Sequence, residues 1–197
     1  MTEHLRIVPA DQASADDLDA VFARGDPARC RCQWFKIRYA EWRATPADEL
    51  ARRLREQTQC GHPGAASTSG LVAYLDGEPA GWCAVQPRTA YPRLLTAKVP
   101  WAGRQEDRTD ERVWAVTCFV TRPVYRRRGV GRALASAAVE FARDRGARAI
   151  EGYPLATGAG TNAERYVGTE RMFTDAGFTP VSRPSERRVT MRITIED

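Results

Sequence analysis

Positions 125–133 read Tyr-Arg-Arg-Arg-Gly-Val-Gly-Arg-Ala. Gly129 and Gly131 lie among Arg126, Arg127, Arg128 and Arg132, after an apolar run at 113–120 and at the start of a helical pattern that begins with Val130. Residues of these types at this spacing suit the binding of a phosphate-bearing ligand. Glycine lets the backbone approach closely. The first N–H groups of a helix have no internal acceptor, and together with the helix dipole they face an anion. The guanidinium groups add positive charge.

Two nucleotide motifs are excluded by spacing. A Walker loop needs a lysine directly after its last glycine, and none is present. A dinucleotide fingerprint needs a third glycine and a place at the first strand–helix turn. Here the run is Gly129-Val130-Gly131-Arg132-Ala133-Leu134, beyond the middle of the chain. From 119 to 133 the sequence resembles the GNAT N-acetyltransferase superfamily: Phe119-Val120-Thr121, Pro123, Tyr125-Arg126, then Gly129-Val130-Gly131. Further along, Met172-Phe173-Thr174-Asp175-Ala176-Gly177-Phe178 resembles the closing helix of that family and its Gly-Phe entry to the sixth strand. The aromatic Cys30-x-Cys32 segment and the stretch from Gly81 to Arg88 resemble an actinobacterial group of GNAT proteins.

The resemblance implies a mixed, mostly antiparallel sheet with flanking helices and a V-shaped gap between the fourth and fifth strands. It implies acetyl-CoA as co-substrate, held by Arg126, Arg127, Arg128, Gly129, Val130, Gly131 and Arg132. Main-chain groups of Phe119, Val120 and Thr121 would bond the pantetheine arm and the acetyl oxygen. Many family members carry a glutamate on the fourth strand as general base. Here that strand reads Trp114-Ala115-Val116-Thr117-Cys118, so Glu151 on the fifth strand is the nearest carboxylate and a water chain is the alternative. Phe173 stands where a tyrosine acid is common. Tyr166 at the mouth of the gap and Tyr153 at the end of the fifth strand are the tyrosines nearby. The catalytic candidates are therefore Glu151 and Tyr166. Cys118 has no histidine or helix start beside it to lower its pKa, so direct transfer is expected rather than an acyl-enzyme.

The elements that must position these groups are legible as patterns. Strands are expected at 4–8, 71–75, 79–86, 113–121, 147–153, 178–181 and 188–195. Helices are expected at 14–23, 45–58, 130–145 and 168–176. Thr45 and Pro46 suit the N-cap and first position of the second helix. Asp76-Gly77 between apolar runs predicts a tight hairpin. Val130, Leu134, Ala137, Ala138 and Phe141 form one apolar face. The Pro- and charge-rich stretch 87–112 should be a long loop with a short helix near 91–95, and a loop of this length is often functional. Residues 154–167 should form a second loop. Trp34, Phe35, Tyr39, Trp42 and Trp82 divide between core and acceptor-pocket wall.

At 197 residues, with 43% apolar and 28% charged residues, the chain suits a single globular domain, 1–197. No run approaches the roughly 20 apolar residues of a membrane span, and no signal segment is evident, so a cytoplasmic location is expected. A net charge of +5 fits an anionic ligand. The arginines alternate with acids along the helices, which does not suggest nucleic acid. The five cysteines form no disulfide framework by count, and Cys30-x-Cys32 lacks the second pair that a zinc site needs, so no metal is expected. The expected partners are acetyl-CoA and a small amine, with room for a homodimer. A protein or peptide acceptor, and a CoA-binding sensor or inactive module, are the competing readings.

Overall fold

The computed structural model describes residues 4–156 and 166–195. The expected loop at 154–167 therefore lies partly outside the described residues. Seven strands form one sheet: β1 (Leu5–Pro9), β2 (Gly70–Leu75), β3 (Glu78–Pro87), β4 (Val113–Thr121), β5 (Ala149–Gly152), β6 (Thr179–Ser185) and β7 (Arg188–Thr194), in the spatial order β1-β2-β3-β4-β5-β7-β6. All pairs are antiparallel except β4 with β5. That parallel pair needs a crossover, and the helix α6 (Val130–Arg143) supplies it.

Local sequence accounts for most of the elements. Ser14 accepts a hydrogen bond from the N–H of Asp17 and so caps α1 (Ala15–Val21), whose first turn carries Asp16 and Asp17. Asp76 and Gly77 both take positive φ, 52° and 87°, as a type I′ hairpin turn demands. In α6 the buried residues are Val130, Leu134, Ala135, Ala138, Val139, Phe141 and Ala142, one apolar stripe laid on the sheet. They join a core with Val85, Val116, Ile150, Phe173 and Phe178. Burying one such large side chain is worth about 1.5–3 kcal/mol. On the opposite face α1 and the helix α4 (Ala47–Thr58) bury Leu18, Val21, Phe22 and Leu54 against Val72, Tyr74 and Trp82.

Two local expectations need correction, and one stretch had no expectation. Thr45 does not cap α4. Its hydroxyl instead donates to the Glu41 carbonyl at the end of α3 (Tyr39–Ala44), and Pro46 takes the N-cap place. The aromatic stretch around Trp34 is bracketed by two short helices, α2 (Gly25–Cys30) and α3, which carry too few residues to show a period. β5 spans four residues rather than seven, starting at Ala149 and ending at Gly152, and Pro154 beyond it has no N–H with which to extend the ladder.

That shortness shapes the centre of the molecule. β4 pairs with β5 only from Val113↔Ala149 to Val116↔Gly152. At the same point the β3–β4 register slips: Ala84 faces Cys118 and Val85 faces Val116, which leaves Thr117 as the extra residue of a bulge. A bulge bends its strand and increases its twist. Beyond Val116 the β5-facing edge of β4 has no strand partner, and this is the V-shaped opening.

Candidate active site

The open edge of β4 leads into the glycine–arginine turn. A short 3-10 turn at Pro123–Tyr125 follows the strand, and Arg127 then takes a left-handed conformation with φ 61°. Gly129 is the N-cap of α6 at φ 78°, a conformation natural to glycine. The N–H groups of Val130, Gly131 and Arg132 meet no acceptor among the described residues. Val130 buries its side chain in the core and so offers the turn its main chain alone. A Cβ added at Gly131 would come within 3.1 Å of Met172 Sδ, so this position is kept small. Arg126, Arg127 and Arg132 are exposed beside these donors, while Arg128 reaches Asp76 and the Tyr125 ring. Unpartnered N–H donors, a residue without a side chain and a cluster of guanidinium groups fit a pyrophosphate.

Two adjoining cavities run along β4 from this turn. The first, about 420 Å³, is lined by Val120, Thr121, Arg122 and Arg126 on one side and by Val21, Arg24 and Gly25 on the other. The second, about 530 Å³, is walled by Trp34, Phe35 and Trp42 with Thr117 and Cys118 on β4. Pro27, Val120 and Tyr166 line both, so Tyr166 stands at their junction. Burial raises the phenol pKa of Tyr166, and the nearby Asp26 carboxylate adds to this while Arg126 opposes it. Asp26 is the one carboxylate among the described residues lining the second cavity. Phe119 turns away from both cavities and packs edge-on against Phe173 at 5.7 Å.

The long 88–112 segment is held beneath the aromatic wall. It contains the helix α5 (Pro92–Thr96), as expected. The guanidinium of Arg93 lies 3.9 Å from the Trp34 ring centroid and donates to the Trp34 carbonyl, and the Arg93 N–H donates to the Phe35 carbonyl. Trp101 is stacked by Arg88, Arg104 and Arg108.

Glu151 belongs to this support, not to the cavities. It is fully buried, in one row with Ala115 on β4 and Arg192 on β7. One carboxylate oxygen accepts from Arg88 at 3.3 Å and from the Tyr153 hydroxyl at 2.7 Å. The other accepts from Arg192 at 3.2 Å and from Arg104. Neither Glu151 nor Tyr153 lines either cavity. With both oxygens engaged and three cations around it, this carboxylate has no open lone pair to offer an amine, a geometry that weighs against Glu151 as general base.

Glu106 bridges Arg104 and Arg192 at the edge of the same cluster. Burial pushes its pKa up, but hydrogen bonds from Arg104 and Arg192 outweigh this and hold it at about 2. Its folded value therefore lies below the ordinary carboxylate value. Its contribution to stability is complete above about pH 4.5 and disappears as pH falls towards 2. Urea midpoints measured down this range should fall more steeply for the wild type than for Glu106→Gln.

The sequence model of the acetyltransferase (GNAT) family matches residues 33–159, more than half of the chain. The chain belongs to the GNAT acetyltransferase family. Solved structures agree on the fold. A putative acetyltransferase from Salmonella typhimurium, yncA, with its cofactor acetyl-CoA, is 16% identical with a TM-score of 0.54, covering 100% of this chain and 96% of that one. The GNAT domain of S. lividans PAT is 18% identical with a TM-score of 0.53, covering 99% and 92%. The PaiA N-acetyltransferase from Thermoplasma acidophilum, in complex with coenzyme A, is 13% identical with a TM-score of 0.50, covering 99% and 100%. No curated protein matches the sequence.

In this GNAT chain the expected site residues separate. Arg126 of the glycine–arginine turn lines the first cavity with Val120 and Thr121, Tyr166 lines both cavities, and Glu151 lines neither. Of the five aromatic candidates, Trp34, Phe35 and Trp42 line the second cavity, Trp82 is core and Tyr39 is half exposed. Sequence reasoning missed Asp26. The signal was available in Gly25-Asp26-Pro27, an acid and a proline at the start of a helix, but α2 is only six residues long. Among the described residues no three His, Cys, Asp or Glu side chains are grouped to hold a metal, and no helix is long and apolar enough to cross a membrane.

Proposed function

We propose that the protein is an acetyl-CoA-dependent N-acetyltransferase acting on an amine of a small molecule by direct transfer. The observation that carries this reading is the pair of adjoining cavities along β4, which share Pro27, Val120 and Tyr166. The first includes Arg126 of the glycine–arginine turn, and the second is the aromatic pocket. The solved acetyl-CoA and coenzyme A complexes of similar fold support the choice of co-substrate.

In this reading the N–H groups of Val130, Gly131 and Arg132, with Arg126, Arg127 and Arg128, hold the pyrophosphate. The free main-chain edge at 117–121 lies along the pantetheine arm. Bound acetyl-CoA supplies an activated thioester, and the protein mainly aligns the amine with it. Tyr166, at the junction, is placed to return a proton to the departing thiolate. Asp26, on the rim of the acceptor cavity, is placed to take the amine proton, directly or through a water. Glu151 is a positioning residue that fixes the long loop under the aromatic wall. A cavity of about 530 Å³ walled by three aromatic residues suits a small acceptor with an apolar body better than an extended peptide.

Thiol release from acetyl-CoA over a panel of amines tests the activity. Turnover restricted to small amines with apolar bodies supports the reading. Turnover with peptides alone replaces it with the protein-acetylating reading, and acetyl-CoA binding with no turnover on any amine replaces it with a sensor. With an acceptor in hand, Tyr166→Phe should lower kcat by about 10²-fold, within the usual range for a general acid. Its acetyl-CoA affinity should stay unchanged. An unaltered kcat would remove Tyr166 from the chemistry.

A further inference from the structure

Two thiols that the proposed reaction does not use meet across the acceptor cavity. Cys32 follows α2 and Cys118 lies on β4, 86 positions away, yet the two sulfurs lie only 2.7 Å apart. Both sulfur-bearing residues line the same cavity, and Cys118 is the more exposed. The backbone at Cys32 is itself unusual. Arg31 and Cys32 are consecutive non-glycine residues in the left-handed region, with φ 47° and 53°. Left-handed backbone is unfavourable for such residues and persists only where the surroundings impose it.

From this geometry we infer that Cys32 and Cys118 form a reversible dithiol–disulfide site that reacts with hydroperoxides. The sulfurs need approach by only about 0.7 Å to reach a disulfide bond length. Cys118, open to the cavity, reacts first. Its thiolate attacks one peroxide oxygen, so an S–O bond forms and the O–O bond breaks. The departing oxygen takes up the proton that the Cys118 thiol released, leaving water or an alcohol and a sulfenic acid. The Cys32 sulfur then attacks the sulfenic sulfur. The S–S bond forms, the S–O bond breaks, and the leaving hydroxide takes the Cys32 proton as water. The two sulfurs lose two electrons and the hydroperoxide gains two. Burial holds the Cys32 thiol pKa well above its ordinary value, so Cys32 is not the thiol that attacks the peroxide. Once closed, the bridge fastens the aromatic wall that begins after α2 to β4. A dithiol reductant reopens it.

The test needs no acetylation assay, so its failure and the failure of the proposed activity are distinguishable. The full-length protein is treated with one equivalent of hydrogen peroxide, its remaining thiols are alkylated under denaturing conditions, and its peptides are mapped by mass spectrometry without reduction. The expected product is a Cys32–Cys118 linked peptide two hydrogens lighter than its parts, with Cys30, Cys60 and Cys83 alkylated. The link should disappear after dithiothreitol. In Cys32→Ser, whose fold is checked by circular dichroism, Cys118 should instead accumulate as a sulfenic acid captured by dimedone. Alkylation of both Cys32 and Cys118 after peroxide treatment would overturn the proposal. So would a link from Cys118 to Cys30 in its place, or oxidation of Cys118 in the wild type that dithiothreitol cannot reverse.

Discussion

Glu151→Ala is expected to destabilise the fold by about 3–5 kcal/mol, the range found when one partner is removed from a buried ion pair. Arg88 is fully buried, and Arg104 and Arg192 are nearly so. Glu151 faces all three, and Tyr153 also donates to it. Taking it away leaves guanidinium charge inside the molecule with Glu106 as the remaining carboxylate of the cluster. Denaturant unfolding measures this directly. The companion variant Glu151→Gln keeps an acceptor oxygen at the site and separates structure from chemistry. At a pH and temperature where it is folded, its pH–rate profile should keep the wild-type acidic limb. If that limb disappears while stability is unchanged, Glu151 is the general base after all and the cluster serves catalysis rather than support.

Gly131→Glu should weaken acetyl-CoA binding by at least about 100-fold, roughly 2.7 kcal/mol. A carboxylate placed in the first turn of α6 repels the pyrophosphate and competes for the N–H groups that would hold it. Charge-assisted hydrogen bonds of this kind are worth about 1.5–3 kcal/mol each, so losing one or two suffices. The fold should persist, because the added Cβ meets only the flexible end of Met172, at 3.1 Å. Gly129→Glu tests the same turn less cleanly, since φ 78° strains any side chain there. Isothermal calorimetry on folded Gly131→Glu decides the point. An affinity within threefold of wild type would mean that the pyrophosphate lies elsewhere.

The arginine cluster and the cavities depend on different kinds of information. Residues 125–133 carry the proposed phosphate turn locally: glycine where φ is positive, a helix start directly after it, and arginines alongside. No distant contact is needed to read it. The Asp76-Gly77 hairpin and the apolar stripe of α6 are equally local, because turn chemistry and helical period are written in consecutive residues. Most strands, and the family, were legible for the same reason.

The proposed acid–base groups were not legible, because they are brought together across the fold. Glu151 and Asp26 are both carboxylates close to elements of the right kind, and nothing in their neighbouring residues separates a caged ion from an open one. The difference arises where Arg88, Arg104 and Arg192 converge from three separate elements on Glu151, while α2 holds Asp26 at the cavity rim. Cys32 likewise approaches a sulfur on a strand 86 positions away. The sequence by itself determined the family, the glycine–arginine turn that opens α6 and the order of the strands, since these rest on contacts between near neighbours in the chain. Only the tertiary structure decided which carboxylate, tyrosine and cysteines face the cavity, since burial and charge pairing are properties of groups brought together from far apart.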